Sequence, residues 1–242
     1  MTRARFRALL LLLSLMAAAA LALAGDRGRQ KALSARPPER RPTLLLLTSL
    51  PILFGEGFSL NGGGSPVLKR LQARYRVEPI SITDPEELAK GRLLLMAQPQ
   101  AQIAENLVAL DAWLRGGGRL LLLADPLLEW DSDRPLGDLT RPSLMFMDTG
   151  LLAHWGLRLE SPDQPGAAER QLGGYRVLTR SPGALFGACT ISADRLVAHC
   201  RLGRGVATIV ADADVLNVAK LGSFGQRNLD GLIAELASLE QS

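Results

Sequence analysis

Three aspartates invite attention first. Asp125 closes the run Leu120 to Ala124, and Asp212 and Asp214 close the run Gly205 to Ala211. Both runs are continuously apolar, the pattern of a strand covered on both faces in a parallel sheet. Aspartates there fall at the carboxyl ends of adjacent strands, where open α/β folds place their ligands. A carboxylate cluster can hold Mg²⁺ or exchange protons with a substrate. Aspartate also caps whatever follows a strand, and that reading needs no ligand. The turn Asn61-Gly62-Gly63-Gly64-Ser65 precedes a helix start and could bind an anion through free N–H groups. It matches neither GxGxxG nor GxxxxGK[ST], so a flexible loop with a Ser65 cap competes with that reading. Ser49 and Gln98 lie at the ends of other apolar runs and complete a crevice with these residues, and Asn217, three residues past Asp214, joins the candidate ligand residues.

Other chemistry is harder to build. Cys189 and Cys200 are the two cysteines. If Asp194-Arg195 turns a hairpin they face each other, and an oxidising compartment would bond them. In a reducing one they are two packed thiols. His154 and His199 share no metal-ligand spacing with each other or with a cysteine pair, and CxxC and HExxH are absent. No metal and no cofactor is expected. A nucleophile elbow GxSxG is absent, and the turn after the fourth apolar strand reads Leu123-Ala124-Asp125-Pro126, without Cys or Ser.

The elements that would hold these residues are legible in places. Ile103, Leu107, Leu110 and Leu114 recur as one helical face, widened by Val108 and Trp113, with Asn106 opposite. Gly116 to Gly118 ends that helix. Thr43–Ser49 reads as a first buried strand and Tyr75–Ile82 as an outer one. Ser65-Pro66 reads as a helix start, and Glu86–Lys90 as a short helix. Arg92–Ala97 reads as a third strand, and Gln226–Leu239 as a closing helix. The expectation is an α/β fold: a flavodoxin-like, doubly wound, mostly parallel sheet of five core strands in the order 2-1-3-4-5. Residues 127–204 are too long for a loop. They read as an inserted α+β segment with a helix over Ser143–Trp155, short strands at Leu157–Leu159 and Tyr175–Leu178, and the hairpin Ala188–Arg201.

Composition narrows the setting. The net charge is +4 with 47% apolar residues. Six basic residues in 26–41 and three in 1–7 account for more than the whole of it, and residues 42–242 carry −3. With aromatics at 5%, no nucleic-acid surface is expected on the folded part. Ala8–Gly25 is an uncharged run of 18 residues behind a basic start, and Ala22-Leu23-Ala24 suits a cleavage site. Residues 1–25 are therefore a signal peptide or a membrane anchor. The domain is expected outside the cytoplasm, in the periplasm or on the inner membrane. The excess of Lys/Arg after the run pulls against that orientation. Residues 26–42 read as a basic, Pro/Arg-rich extended tether, and 43–242 as one domain.

The segments ending in Thr48-Ser49-Leu50-Pro51, LDAWLRGGGRLLLLADP, GRGVATIVADADVLN and FGQRNLDGLIAEL together resemble the GldG-like auxiliary proteins of ABC transport systems. They also resemble related domains with a glutamine-amidotransferase-like fold. The likeness covers about residues 43–130 and 203–240 and matches Gly203, Gly205, Asp212, Asp214 and Asn217 to a recurrent turn. It implies a non-catalytic, membrane-tethered domain whose partners are an ABC permease and ATPase. A hydrolase with a carboxylate or metal site, and a structural envelope protein, are the alternatives.

Overall fold

The computed structural model describes residues 32–53, 64–135, 138 and 141–242. The apolar run at 8–25 and the turn residues Asn61, Gly62 and Gly63 lie outside them. Among the described residues no helix is long and apolar enough to cross a membrane.

The chain runs β1 (Thr43–Thr48), α1 (Pro66–Gln72), β2 (Arg76–Pro79), α2 (Pro85–Leu88), β3 (Leu93–Ala97), α3 (Ala104–Arg115) and β4 (Arg119–Leu123). The insertion follows with α4 (Leu151–His154), β5 (Leu157–Glu160), β6 (Ala167–Leu172), β7 (Tyr175–Arg180), β8 (Ala184–Gly187), β9 (Thr190–Ile191) and β10 (Val197–Leu202). It closes with β11 (Gly205–Val210) and α5 (Gly225–Gln241). The central sheet has seven strands in the order β2-β1-β3-β4-β11-β10-β9. Neighbours from β2 through β11 are parallel, while β10 and β9 join antiparallel. The mostly parallel α/β sheet is the architecture the apolar runs require. The insertion lengthens the sheet by two strands, and it also forms two separate antiparallel pairs, β5 with β8 and β6 with β7.

Period-two alternation sorts the strand leucines onto two faces. Leu44, Leu46, Leu121 and Leu123 pack with Leu71 of α1 and Leu232 of α5. Leu45, Leu47, Leu120 and Leu122 pack with Leu88 of α2, Leu110 and Leu114 of α3 and Trp155 after α4. Each strand thus feeds two cores, which explains why β1, β3 and β4 show no polar alternation.

Three expectations change. The helical face of α3 is rotated: Asn106, Leu110 and Leu114 are its buried residues, whereas Ile103 and Val108 are 63% and 70% exposed. The Asn106 backbone carbonyl accepts the buried Thr83 hydroxyl at 2.9 Å. The helix expected over Ser143–Trp155 shrinks to Leu151–His154. Gly150, at φ +98°, sits at its N-cap. The upstream segment instead hydrogen-bonds to the chain after β4, with Phe146 N donating to Asp125 O at 2.6 Å and Leu128 N to Leu144 O at 2.9 Å.

The third change concerns the tether. From Leu33 onward it is fastened to the domain as a strap. Arg70 donates to Leu33 O, Arg74 to Ser34 O, and Arg36 N to Ala73 O. Arg36 pairs with Glu240 at 2.8 Å and lies over the Tyr75 ring. Tyr75 is buried and donates its hydroxyl to Glu240 at 2.5 Å. Arginine is the one side chain that can both fork onto carbonyls and stack on a ring, so a composition that reads as solvated spacer becomes a clamp.

Gly118 shows why the turn after α3 is glycine. A Cβ there would lie 2.3 Å from the Trp113 ring. Cys200 of β10 faces Cys189 across the β9–β10 register, and the two are bonded with their Cα atoms 4.9 Å apart. Replacing both by serine is expected to lower unfolding stability by about 2–3 kcal/mol for a loop of this length. The check is the urea midpoint of the double variant against the parent under non-reducing conditions.

Candidate functional site

The carboxyl edge of the sheet is built by residues that bond to backbone. Thr48 donates its hydroxyl to Ala97 O at 2.8 Å, and Ser49 donates its own to Gln98 O. Gln98 adopts φ +43°, a left-handed conformation that costs a non-glycine residue energy. Its side chain explains the compensation. Nε2 donates to Asp125 O at 3.2 Å and to Ser143 O at 3.1 Å, and Oε1 accepts from Asp125 N at 3.0 Å. A side-chain amide thus splices the end of β3 to the end of β4, where the ladder has stopped.

The aspartates repeat this device. Asp125 Oδ1 accepts from Leu127 N at 2.9 Å, and its Oδ2 from Ala213 N at 2.8 Å and Asp214 N at 3.3 Å. Asp212 accepts from Val215 N at 2.7 Å and Arg180 N at 3.0 Å. Asp214 Oδ2 accepts from Glu129 N at 2.7 Å, while its Oδ1 is buried without a partner. All three residues and Gln98 are 0% exposed. Gln98, Asp125, Asp212 and Asp214 were expected to line a ligand crevice; the structure spends them on the fold. The loops that leave β4 and β11 enter buried space, where unpaired N–H groups are costly, and carboxylates are the acceptors within reach.

Burial dominates their protonation. It lifts the Asp125 carboxyl to about 6 against the pull of three N–H donors. It lifts Asp214 to about 7 and Asp212 well above the usual carboxylate range, with the neighbouring carboxylates adding to the rise. Perturbed carboxyls accompany acid–base sites, but these have no exposed oxygen to offer a substrate. Among the described residues no group of three or more His, Cys, Asp or Glu is disposed to hold a metal ion.

Open space lies beside this knot. A cavity of about 280 Å³ is lined by Ile52, Ser65, Val67, Trp130, Asn217 and Lys220, among others. It adjoins a polar cleft of about 920 Å³ that shares Trp130, Asp131 and Lys220 and adds Glu129, Arg141 and Arg180. Lys220 pairs with Asp131 at 2.9 Å across the shared wall, and Arg180 lies 3.6 Å from Glu129. Ser65 reaches the smaller cavity while its Oγ accepts from Leu68 N at 3.1 Å as the helix cap. Gly64 precedes it at φ +63°. Of the expected site residues, Ser65 and Asn217 therefore line the opening, and Ser49 is committed to Gln98. Trp130, Lys220 and Arg180 were missed. The signal for Trp130 was present: it is a lone aromatic in an acidic loop straight after β4. Nothing in the sequence marks Lys220 or Arg180. Both histidines lie elsewhere, His154 beside Asp111 at 3.4 Å and His199 against Thr208 at 3.1 Å.

No protein-family model matches the chain, and no curated protein does. Its fold resembles that of a cytoplasmic protein from Salmonella typhimurium LT2 (TM-score 0.52, 12% identity, 81% of this chain and 99% of that one). It also resembles the mmIFT52 N-terminal domain (TM-score 0.51, 14% identity, 81% and 97%). A weaker likeness joins it to an exo-beta-1,4-mannosidase from Opitutaceae bacterium strain TAV5 (TM-score 0.47, 12% identity, 82% and 36%). The chain spans about a third of the length of the glycosidases it matches. At these identities the similarity concerns the fold alone.

The carboxylate knot makes a signed prediction. The folded pKa of each aspartate lies above its unfolded value near 3.9, so the folded state holds more protons between about pH 4 and 7. The contribution of these groups to stability is full below about pH 4 and is lost as pH rises through about 6 and 7. Asp214→Asn keeps an acceptor for Glu129 N and removes a charge; it is expected to flatten this dependence and raise the urea midpoint at about pH 7.5. Asp125→Asn sets an NH₂ group against N–H donors and is expected to cost about 2–4 kcal/mol. Urea titrations at about pH 5 and 7.5 check both. Equal pH profiles for parent and Asp214→Asn would count against the buried-charge account.

Proposed function

We propose that the protein is a non-catalytic, extracytoplasmic accessory or ligand-binding domain of an ABC-type transport system, of the GldG-like kind. Its parallel core belongs to the flavodoxin-like, amidotransferase-like class in strand order 2-1-3-4-5. The single observation that carries the reading is the turn after β4. In an enzyme of this architecture that turn would present a nucleophile. Here Asp125 fills it, fully buried, with both oxygens accepting backbone N–H bonds. What remains open is a cleft with an aromatic wall, an amide and an ion pair, at Trp130, Asn217 and Lys220–Asp131. A few orienting polar groups around a largely apolar hollow suit binding.

The membrane-linked role rests on the apolar run at 8–25 and on the GldG-like segments. Partners under this reading are the permease and ATPase subunits, with the N-terminal segment holding the domain to the envelope. The test is affinity purification of the full chain from detergent-solubilised membranes of its source cell. Recovery of one permease and its ATPase in fixed ratio is the expected outcome. Their absence, or a hydrolytic activity abolished by Asp125→Ala in a protein that remains folded, would overturn the proposal.

A further inference from the structure

The five parallel strands share a feature at their amino ends. Each has an arginine within three residues of its start: Arg40 and Arg41 before β1, Arg76 opening β2, Arg92 before β3, Arg119 opening β4 and Arg204 before β11. Parallel strands start on one edge of the sheet, so these six side chains ring a single face. Arg40, Arg76, Arg92 and Arg204 are exposed. Arg76 donates to the Thr43 hydroxyl, Arg119 to Ser242 O and Arg204 to Gly116 O. Arg40 and Arg92 have no side-chain partner among the described residues. Acids nearby include Glu39, which is exposed, Glu78 and Glu86, which act on Lys90, and three already paired: Glu240 with Arg36, Glu87 with Lys90 and Asp111 with Arg115.

Attraction to helix carboxyl ends explains part of this ring. Arg204 reaches the carbonyl that ends α3, and Arg119 reaches the end of α5. It does not explain Arg40, Arg76 and Arg92. At the opposite edge Asp125, Asp212 and Asp214 are buried, and Glu129 and Asp131 are each paired with a base, Arg180 and Lys220.

The strap supplies the second observation. It docks Leu33 to Arg41 at this same basic edge, against the ends of α1 and α5. Only eight residue steps then separate Leu33 from Gly25, the last residue of the apolar run. Fully extended, they reach about 28 Å at most. Three of the intervening residues, Arg27, Arg29 and Lys31, are basic.

We infer that the amino edge of the sheet is a lipid-facing surface: its arginines lie against anionic phospholipid head groups, and the carboxyl-edge cleft points away from the bilayer. The inference rests on membrane anchoring by residues 1–25, not on the transport association. Lipid is favoured over nucleic acid because the strap at this edge is joined, within eight residues of sequence, to the apolar run 8–25. Each arginine near such a surface contributes about a fivefold preference for anionic over neutral lipid.

The test uses the full chain reconstituted through its N-terminal segment into nanodiscs. One set is phosphatidylcholine, and the other contains roughly one-third phosphatidylglycerol, enough to set up a negative surface potential. Phenylglyoxal labelling read by mass spectrometry reports arginine access. Arg40, Arg76, Arg92 and Arg204 are expected to label about fivefold more slowly in the anionic discs, with recovery at high salt. Arg158, an exposed side chain on β5, serves as the unchanged reference. Arg92→Glu with Arg204→Glu is expected to restore labelling of Arg40 and Arg76 in a protein with parental circular dichroism. Equal labelling in both discs, protection that includes Arg158, or failure of the chain to remain with the discs overturns the inference. Protection of the same arginines by duplex DNA in neutral discs overturns the choice of lipid. Co-purification of transporter subunits is read separately, so either idea can fail while the other stands.

Discussion

Capture of backbone N–H groups by buried side-chain acceptors is the constraint on which the carboxyl half of this domain depends. In this domain the residues just past β3, β4 and β11, Gln98, Asp125 and Asp212, are buried. The chain must turn there, and each turn releases donors from the ladder. Asp125, Asp212 and Gln98 take them up: three N–H groups on the first, two on the second, one on the third. Two acceptors on one planar group let a single side chain serve donors from different segments. Asp125, two residues beyond β4, holds the Ala213-Asp214 backbone beyond β11 while also closing its own turn. Asn228 of α5 works the same way from the other side, accepting from Leu178 N at 3.0 Å and donating to Leu178 O at 2.8 Å and Val215 O at 3.1 Å. These contacts join the insertion, the β11 turn and the last helix into one connected unit.

Holding a backbone and doing chemistry make opposed demands on a carboxylate. A catalytic acid or base must present an oxygen to substrate at hydrogen-bond distance. Asp125 and Asp212 have no oxygen to spare and no exposure. Their raised protonation range follows from burial among like groups, which is the cost of packing three acids into a dry corner. The same shift in a cleft would point to function; the distinction is made by where the oxygens are aimed. The open surfaces lie one residue layer out, at Trp130, Lys220 and Asn217, where the side chains are committed to the fold lightly or not at all.

Legibility in the sequence followed the range of the forces involved. The stretch Ala104–Leu123 could be read because a helical stripe, three glycines and a solid apolar run are local signals; even there the helix face differs, with Asn106 buried and Ile103 and Val108 exposed. The strands β1, β3, β4 and β11 were legible for the same reason. The insertion was legible in part: the strands at Leu157–Leu159 and Tyr175–Leu178 and the hairpin Ala188–Arg201 are present, while the helix expected over Ser143–Trp155 shrinks to Leu151–His154 and the strand pairings were not read. Its segments are short, and the piece before Gly150 chooses between helix and extended chain according to whether Asp125 O and Leu144 O find N–H donors across the gap. The aspartates were visible as residues at strand ends. Their role was not, since capping and ligand binding ask for the same residue type at the same place.

The strap reverses the meaning of a composition. Pro-, Arg- and Gln-rich segments remain extended when nothing rewards ordering them. Here Tyr75, Glu240 and the carbonyl acceptors around α1 reward it, and the arginines that look like solvent-seeking charge become the fastening. One consequence is geometric. The clamp takes up Leu33 to Arg41 of the seventeen residues 26–42. Clamping also selects a face. The docked segment meets the domain at the sheet edge where five strands begin, so the edge rich in arginine and the exit of the chain coincide. The acidic knot and its neighbouring cleft are then at the far end of every strand, about 15–20 Å away at roughly 3.3 Å per residue over five or six residues.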